Sequence, residues 1–167
     1  QYDVELVLQR EQLGTAHAAL QARAALADHD GPVLVMNGDH PLYRARTLAA
    51  LRETWESRKA GLAILVTEMP DPTGYGRVIR DASGRVTRVV EQNDCSEAER
   101  GVREVNLGAY LADARTLFEL LARVGNQNAK SEFYITDLVE LAIASGRPVE
   151  SYAADDWRES LGINTRK

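Results

Sequence analysis

The chain has 167 residues, 44% hydrophobic and 27% charged, so the expectation is one ordinary globular domain with length enough for a substantial core. A net charge of −5 speaks against a nucleic-acid binder, which ordinarily carries a basic stripe, but leaves nucleotides open as ligands. The lone Cys95 excludes an internal disulfide and a cysteine-cluster zinc site; with no signal-peptide pattern and no apolar run of membrane-spanning length, a cytoplasmic protein without membrane partners is expected.

In chain order, Val4-Glu5-Leu6-Val7-Leu8 alternates like a strand. It follows Gln1 almost at once, without an initiating methionine, which reads as a piece of a longer protein. A helix is expected from near Thr15 toward Ala27, rich in alanine and leucine. Val33-Leu34-Val35-Met36 is wholly apolar and reads as a strand buried on both faces of a covered, parallel sheet. Gly38 and Pro41 then force a turn that leaves the Asp39 carboxylate at the carboxyl end of that strand. In open α/β sheets ligands bind at that edge, and a carboxylate there suits a hard cation such as Mg²⁺. The plain alternative is that Asp39 only caps the turn.

A second helix is expected over Ala45–Lys59, with Leu48, Leu51 and Trp55 at helical spacing, and an apolar strand over Leu62–Thr67. Gly76–Ile79 and Val86–Glu91 read as paired strands around the turn Asp81-Ala82-Ser83-Gly84. Ser96 with Glu99 has capping-box spacing for a short helix. Val105–Leu111 reads as a strand, and Asp113 as the cap of a helix through about Arg123. Glu132–Asp137 leads into a helix that stops at Gly146, and Pro148–Tyr152 is the last strand. Alternating strands and helices with antiparallel pieces in the middle predict an α/β fold around a mixed sheet.

Several polar groups stand at strand ends or turns, each with a dull reading beside a functional one. Gly14-Thr15 at a helix start offers free backbone donors to an anion or a base edge, or is simply a turn with Thr as cap. His17 and His29 read as solvated or structural; His40 follows Asp39 closely enough to touch a ligand. In Asp71-Pro72-Thr73-Gly74-Tyr75-Gly76-Arg77, Gly74 and Gly76 allow positive φ and close backbone approach to a bound group, or serve a tight hairpin entry. Glu91 ends a strand and Asn106 opens one; with converging loops they make a pocket for a polyhydroxylated ligand. No Ser-His-Asp signature, nucleophilic cysteine context, G-x-G-x-x-G or Walker loop is present, which argues against a nucleophilic hydrolase and a P-loop kinase.

The ordered series is more specific than its parts. Gln9-x-x-x-x-Gly14-Thr15-x-His17, Asn37-Gly38-Asp39-x-Pro41-Leu42, Asp71–Arg77, Val90-Glu91-Gln92, Glu104-Val105-Asn106, Glu132-x-Tyr134-Ile135-Thr136-Asp137 and Gly162-Ile163-Asn164 together resemble the uridyltransferase domain of the bacterial bifunctional enzymes that make UDP-N-acetylglucosamine. The resemblance spans essentially the whole chain. It implies a GT-A-like, Rossmann-related nucleotidyltransferase fold with a mixed, mostly parallel sheet. It implies Mg²⁺-dependent conversion of UTP and N-acetylglucosamine 1-phosphate to UDP-N-acetylglucosamine and pyrophosphate.

By motif position, Gln9 and Gly14 would read the uracil edge with Thr15 beside them. Asn37 and Gly38 would line the pocket, and Gly76, Glu91 and Asn106 would contact the sugar. Asp39 and Asn164 would hold the metal.

Two departures stand out. Asn37 replaces the tyrosine common in related sequences, and the family's opening glycine-rich G-x-G-T-x-M loop, with its triphosphate-cradling arginine and lysine, has no counterpart here. That segment would be roughly sixty residues, about two strand-helix units. The expectation is therefore a fold incomplete at its N-terminus, with no assignable catalytic residue and little activity alone. The family's left-handed β-helix acetyltransferase half, which makes its trimer, has no counterpart in the sequence either. The same fold also serves other nucleotide and sugar-phosphate pairs, and non-catalytic sugar-nucleotide-sensing modules.

Overall fold

The computed structural model describes residues 4–163. Its elements in chain order are α1 (Thr15–Gln21), β1 (Pro32–Met36), α2 (Ala45–Ser57), β2 (Leu62–Glu68), β3 (Arg77–Arg80), β4 (Val86–Val90), α3 (Glu97–Arg100), β5 (Glu104–Asp113), α4 (Ala114–Leu121), α5 (Leu138–Ala144) and β6 (Val149–Ala153). Short 3₁₀ turns at Ile135–Asp137 and Trp157–Ser160 complete them.

The strands form one six-stranded sheet in the order β4-β3-β5-β2-β6, with β1 also on β5. β5 runs antiparallel to β1, β2 and β3, whereas β2 and β6 pair in parallel and β3 and β4 form a hairpin. β1, β2, β3 and β6 therefore share one direction, and β4 and β5 oppose it. The sheet is mixed, as the sequence predicts.

Side chains alternate across a strand, so β2 and β5 feed two cores at once. Leu62, Ile64 and Val66 of β2 and Tyr110 and Ala112 of β5 pack with Leu117, Leu120 and Leu121 of α4, Leu138 and Val139 of α5, and Ala16 of α1. Ala63 and Leu65, with Val105, Leu107, Ala109 and Leu111, pack on the other face with Leu51 of α2. Helices thus cover both faces of the sheet. Burying each such leucine or isoleucine contributes about 1.5–3 kcal/mol.

Three expectations are corrected. β1 is not buried on both faces: its residues alternate between exposed and half-buried, and Leu34 and Met36 are 36% and 38% exposed. Val33 and Val35 pack against the core from one face, and β1 pairs with β5 alone among the described strands. β2 holds the doubly buried place instead. Val4–Leu8 forms no strand and is exposed, because its alternation meets no partner among the described residues. α1 ends at Gln21 and gives way to turns up to Asp28. Helix propensity without a buried face does not sustain so short a helix, and Arg23, Ala24, Ala25 and Ala27 are exposed.

Candidate functional site

β5 carries two strands along one side. β1 covers Ala109–Asp113, and β3 joins at Val105 through Arg77. Between them the backbone from Asn106 to Gly108 lacks a strand neighbour on that side. The gap is tied at its ends, where the Asn106 N–H donates to Gly76 O (2.9 Å) and the Asn37 N–H to Gly108 O (3.2 Å). A cleft of about 310 Å³ opens there, lined by Asn37, His40, Gly76, Glu91, Asn106 and Gly108 among others. It lies at the carboxyl end of β1, where ligands of open α/β sheets bind.

The register of β5 explains its shape. Ile64 faces Tyr110 and Val66 faces Asn106, so β5 advances four residues while β2 advances two. The extra residues bulge around Gly108, whose φ of +73° is left-handed. The bulge brings Asn106 and Tyr110 together despite their separation in sequence. The Asn106 Nδ2 donates to Tyr110 Oη at 2.6 Å, and Tyr110 is fully buried. Asn106 itself is 9% exposed, and its Oδ1 is buried without a hydrogen-bond partner. Such an acceptor costs about 1–3 kcal/mol unless something donates to it.

Across the cleft, Glu91 follows β4. The Thr136 hydroxyl donates to its Oε1 at 3.2 Å, and Thr136 is 2% exposed. Burial pushes the Glu91 carboxyl above the usual carboxylate range, against the pull of that hydrogen bond. Gly76 sits in a tight place: a Cβ would stand 3.0 Å from Val89 Cγ1 and 3.5 Å from Glu91 Oε1. The positive φ expected at both loop glycines occurs at Gly74 (+89°) and not at Gly76, whose role is close approach.

Asp39 sits at the rim on the turn after β1, its side chain 48% exposed. His40 Nε2 lies 3.8 Å from Asp39 Oδ1, while its Nδ1 is 3.2 Å from both Tyr43 Oη and Leu107 O. Tyr43 also donates to Leu107 O, and burial, aided by the Asp39 charge, drives its phenol well above its ordinary range. The far end of the chain returns to this turn. The Ile163 N–H donates to Asp39 O at 2.8 Å, and a Cβ on Gly162 would stand 3.0 Å from His40 Cδ2. Asn164, the other expected metal ligand, lies outside the described residues. Among the described residues no group of three or more His, Cys, Asp and Glu is placed to hold a metal ion.

Gln9, Gly14 and Thr15 gather at the start of α1 and do not line this cleft. Gln9 Nε2 lies 3.2 Å from Gly14 O and 2.9 Å from His17 Nδ1. Thr15 Oγ1 accepts from the Ile135 N–H at 2.9 Å, and the Ala16 N–H donates to Phe133 O at 2.9 Å. Gly14, at φ +120°, has the Phe133 carbonyl where a Cβ would go, at 2.6 Å. The segment 133–136 thus separates this turn from Glu91 while touching both. A larger cavity, about 510 Å³, lies between the β3–β4 hairpin and residues 146–151. Its arginines are spoken for, Arg80 by Glu104, Arg85 by Asp81 and Arg147 by Glu119.

Sequence reasoning thus found Asn37, Gly76, Glu91 and Asn106, which the fold brings to one cleft, and Gly38 and Asp39 beside it. It missed Gly108 and Tyr110, although a glycine inside an apolar strand is a signal for a bulge.

The comparisons agree with this architecture. The nucleotidyl transferase family matches residues 1–159. The bifunctional protein GlmU of Brevibacillus brevis is 47% identical over 164 residues, covering 98% of this chain and 36% of that protein. The GlmU proteins of Geobacillus sp. and Listeria monocytogenes are 43% and 46% identical over 162 residues, each covering 97% of this chain and 35% of the relative. The chain therefore spans about a third of the length of the curated relatives it matches. With a family match over nearly all its residues and a mixed α/β sheet of the expected Rossmann-like kind, the chain belongs to the nucleotidyl transferase family.

Proposed function

We propose that this chain belongs to an enzyme transferring uridylyl from UTP to N-acetylglucosamine 1-phosphate, giving UDP-N-acetylglucosamine and pyrophosphate. The observation that carries the reading is the convergence of Asn37, Gly76, Glu91 and Asn106 on one cleft at the carboxyl end of β1, with Asp39 at its rim. Asn106 Oδ1 is an acceptor awaiting a donor, and Glu91 Oε2 has no hydrogen bond among the described residues. A sugar bearing hydroxyls and an amide N–H supplies both.

In the reaction a phosphate oxygen of the sugar phosphate attacks the α-phosphorus of UTP. The bond from that phosphorus to the bridging oxygen breaks, and pyrophosphate leaves with its electron pair. No covalent protein intermediate is needed, so the protein supplies positioning and charge complementarity. Asn106, Glu91 and the Gly76 backbone would hold the sugar, while Asn37 and Gly38 shape the wall. Gln9 Oε1, without a hydrogen bond among the described residues, suits a uracil N–H, with Gly14 and Thr15 beside it. A site that pairs the base edge in this way rejects other bases, because a mismatch strands buried polar groups.

Mg²⁺ is the metal this reading requires, and the exposed Asp39 carboxylate is a hard oxygen ligand that suits it. When bound, the ion would neutralise and orient the phosphates.

The test is a competition assay on the intact protein carrying this sequence, with UTP, dTTP and GTP offered against N-acetylglucosamine 1-phosphate. UDP-N-acetylglucosamine should dominate the products; preference for dTTP or GTP would overturn the reading.

A further inference from the structure

Two side chains of the cleft, Asn106 and Glu91, are each gripped by a buried hydroxyl. Tyr110, on the same strand as Asn106, takes the amide Nδ2 at 2.6 Å and leaves Oδ1 free. Thr136, on the turn ahead of α5, takes Glu91 Oε1 at 3.2 Å and leaves Oε2 free. Neither hydroxyl belongs to a surface residue, since Tyr110 is 0% and Thr136 2% exposed.

We propose that Tyr110 and Thr136 are positioning residues, a buried hydroxyl pair that holds the Asn106 and Glu91 side chains in the orientation in which they meet the sugar phosphate. The proposal rests on the sugar-phosphate reading of the cleft.

The physical case begins with the side-chain torsions. An asparagine amide can present either a donor or an acceptor, according to how it is rotated. The bond to Tyr110 holds the Asn106 amide in one plane against the strand, and the Gly108 bulge makes that bond possible by drawing the two side chains together. A carboxylate end rotates just as readily. Glu91 Oε1 is confined between the Thr136 hydroxyl and the Gly76 backbone, which has no Cβ to push it away. Two acceptors at fixed positions recognise two donors on a rigid ring. Released, the same groups must be ordered anew at each binding event, which weakens affinity without touching the reacting phosphorus.

Steady-state kinetics on the intact protein tests this. Tyr110→Phe and Thr136→Val should each raise KM for N-acetylglucosamine 1-phosphate about three- to tenfold, the worth of one ordinary hydrogen bond. KM for UTP and kcat should stay within about twofold, and Thr136→Ser, which keeps the hydroxyl, should restore the wild-type KM. Asn106→Ala and Glu91→Gln serve as references. If these two raise the sugar-phosphate KM while Tyr110→Phe and Thr136→Val do not, the positioning role falls and the sugar site stands. Should the references themselves leave that KM unchanged, the sugar site falls and the positioning role with it. A parallel rise in both KM values with a lowered unfolding temperature, unrescued by Thr136→Ser, would reduce the pair to core packing and overturn the proposal.

Discussion

A Cβ placed on Gly108 would stand 2.2 Å from the amide nitrogen of Asn37 and 2.7 Å from its Cγ. The end of β1 and the bulge of β5 therefore interlock through a side chain that fills the space a larger residue would claim. Gly108→Ala should lower stability by about 1–2 kcal/mol from the left-handed backbone alone, with the clash added. In a domain of this size each kcal/mol appears as about 2–4 °C in unfolding temperature. Because the obstacle is a side chain, Gly108→Ala combined with Asn37→Ala should recover the clash and leave the backbone cost. Strict additivity of the two substitutions would show that they do not meet.

Asp137 gives a prediction about pH. Burial, then the charges of Glu140, Glu91 and Asp94, push its carboxyl from an ordinary 3.8 up to about 6. The folded protein thus holds a proton there more tightly than the unfolded chain does. Stability from this group is fully present below pH 4 and is lost as pH rises through 6. Asp137→Asn removes that dependence, so its gain over wild type should be larger at pH 7.5 than at pH 4.5. Denaturant midpoints of both proteins at the two pH values measure it; an equal difference at both would contradict the assignment.

Thr15 separates two readings of one hydroxyl. It accepts the Ile135 N–H at 2.9 Å and makes no cap within its own helix. Thr15→Val should leave that N–H unpaired and destabilise the fold by about 1–3 kcal/mol. An unchanged unfolding midpoint would show that the hydroxyl does not anchor residues 133–136.

What the sequence makes legible here is local. Ser96-x-x-Glu99 forms a reciprocal capping box, Asp81–Gly84 turns the β3–β4 hairpin, and Gly146 ends α5 at φ +70°. Each is decided within a few residues by backbone geometry and short-range hydrogen bonds. Asp113 takes its expected N-cap place, though its side chain makes no cap bond. Nonlocal choices are less visible. Val33–Met36 and Leu62–Val66 are both apolar runs, and only the sheet order makes the first half-exposed and the second fully buried. The cleft itself follows from two strands sharing one side of β5, a relationship no window of sequence contains. Resemblance supplied the grouping of Asn37, Gly76, Glu91 and Asn106 because motif order carries what periodicity cannot.

Phosphoryl transfer beside the carboxylate at the end of β1, as proposed, makes Asp39 the residue whose loss matters most. The decisive measurement is uridylyl transfer by the intact protein, compared between wild type and Asp39→Ala at saturating Mg²⁺. The expected result is a loss of about a hundredfold or more in kcat/KM, since a metal at the phosphates is worth several kcal/mol. Activity within about threefold of wild type, under ~0.7 kcal/mol of barrier, would contradict it.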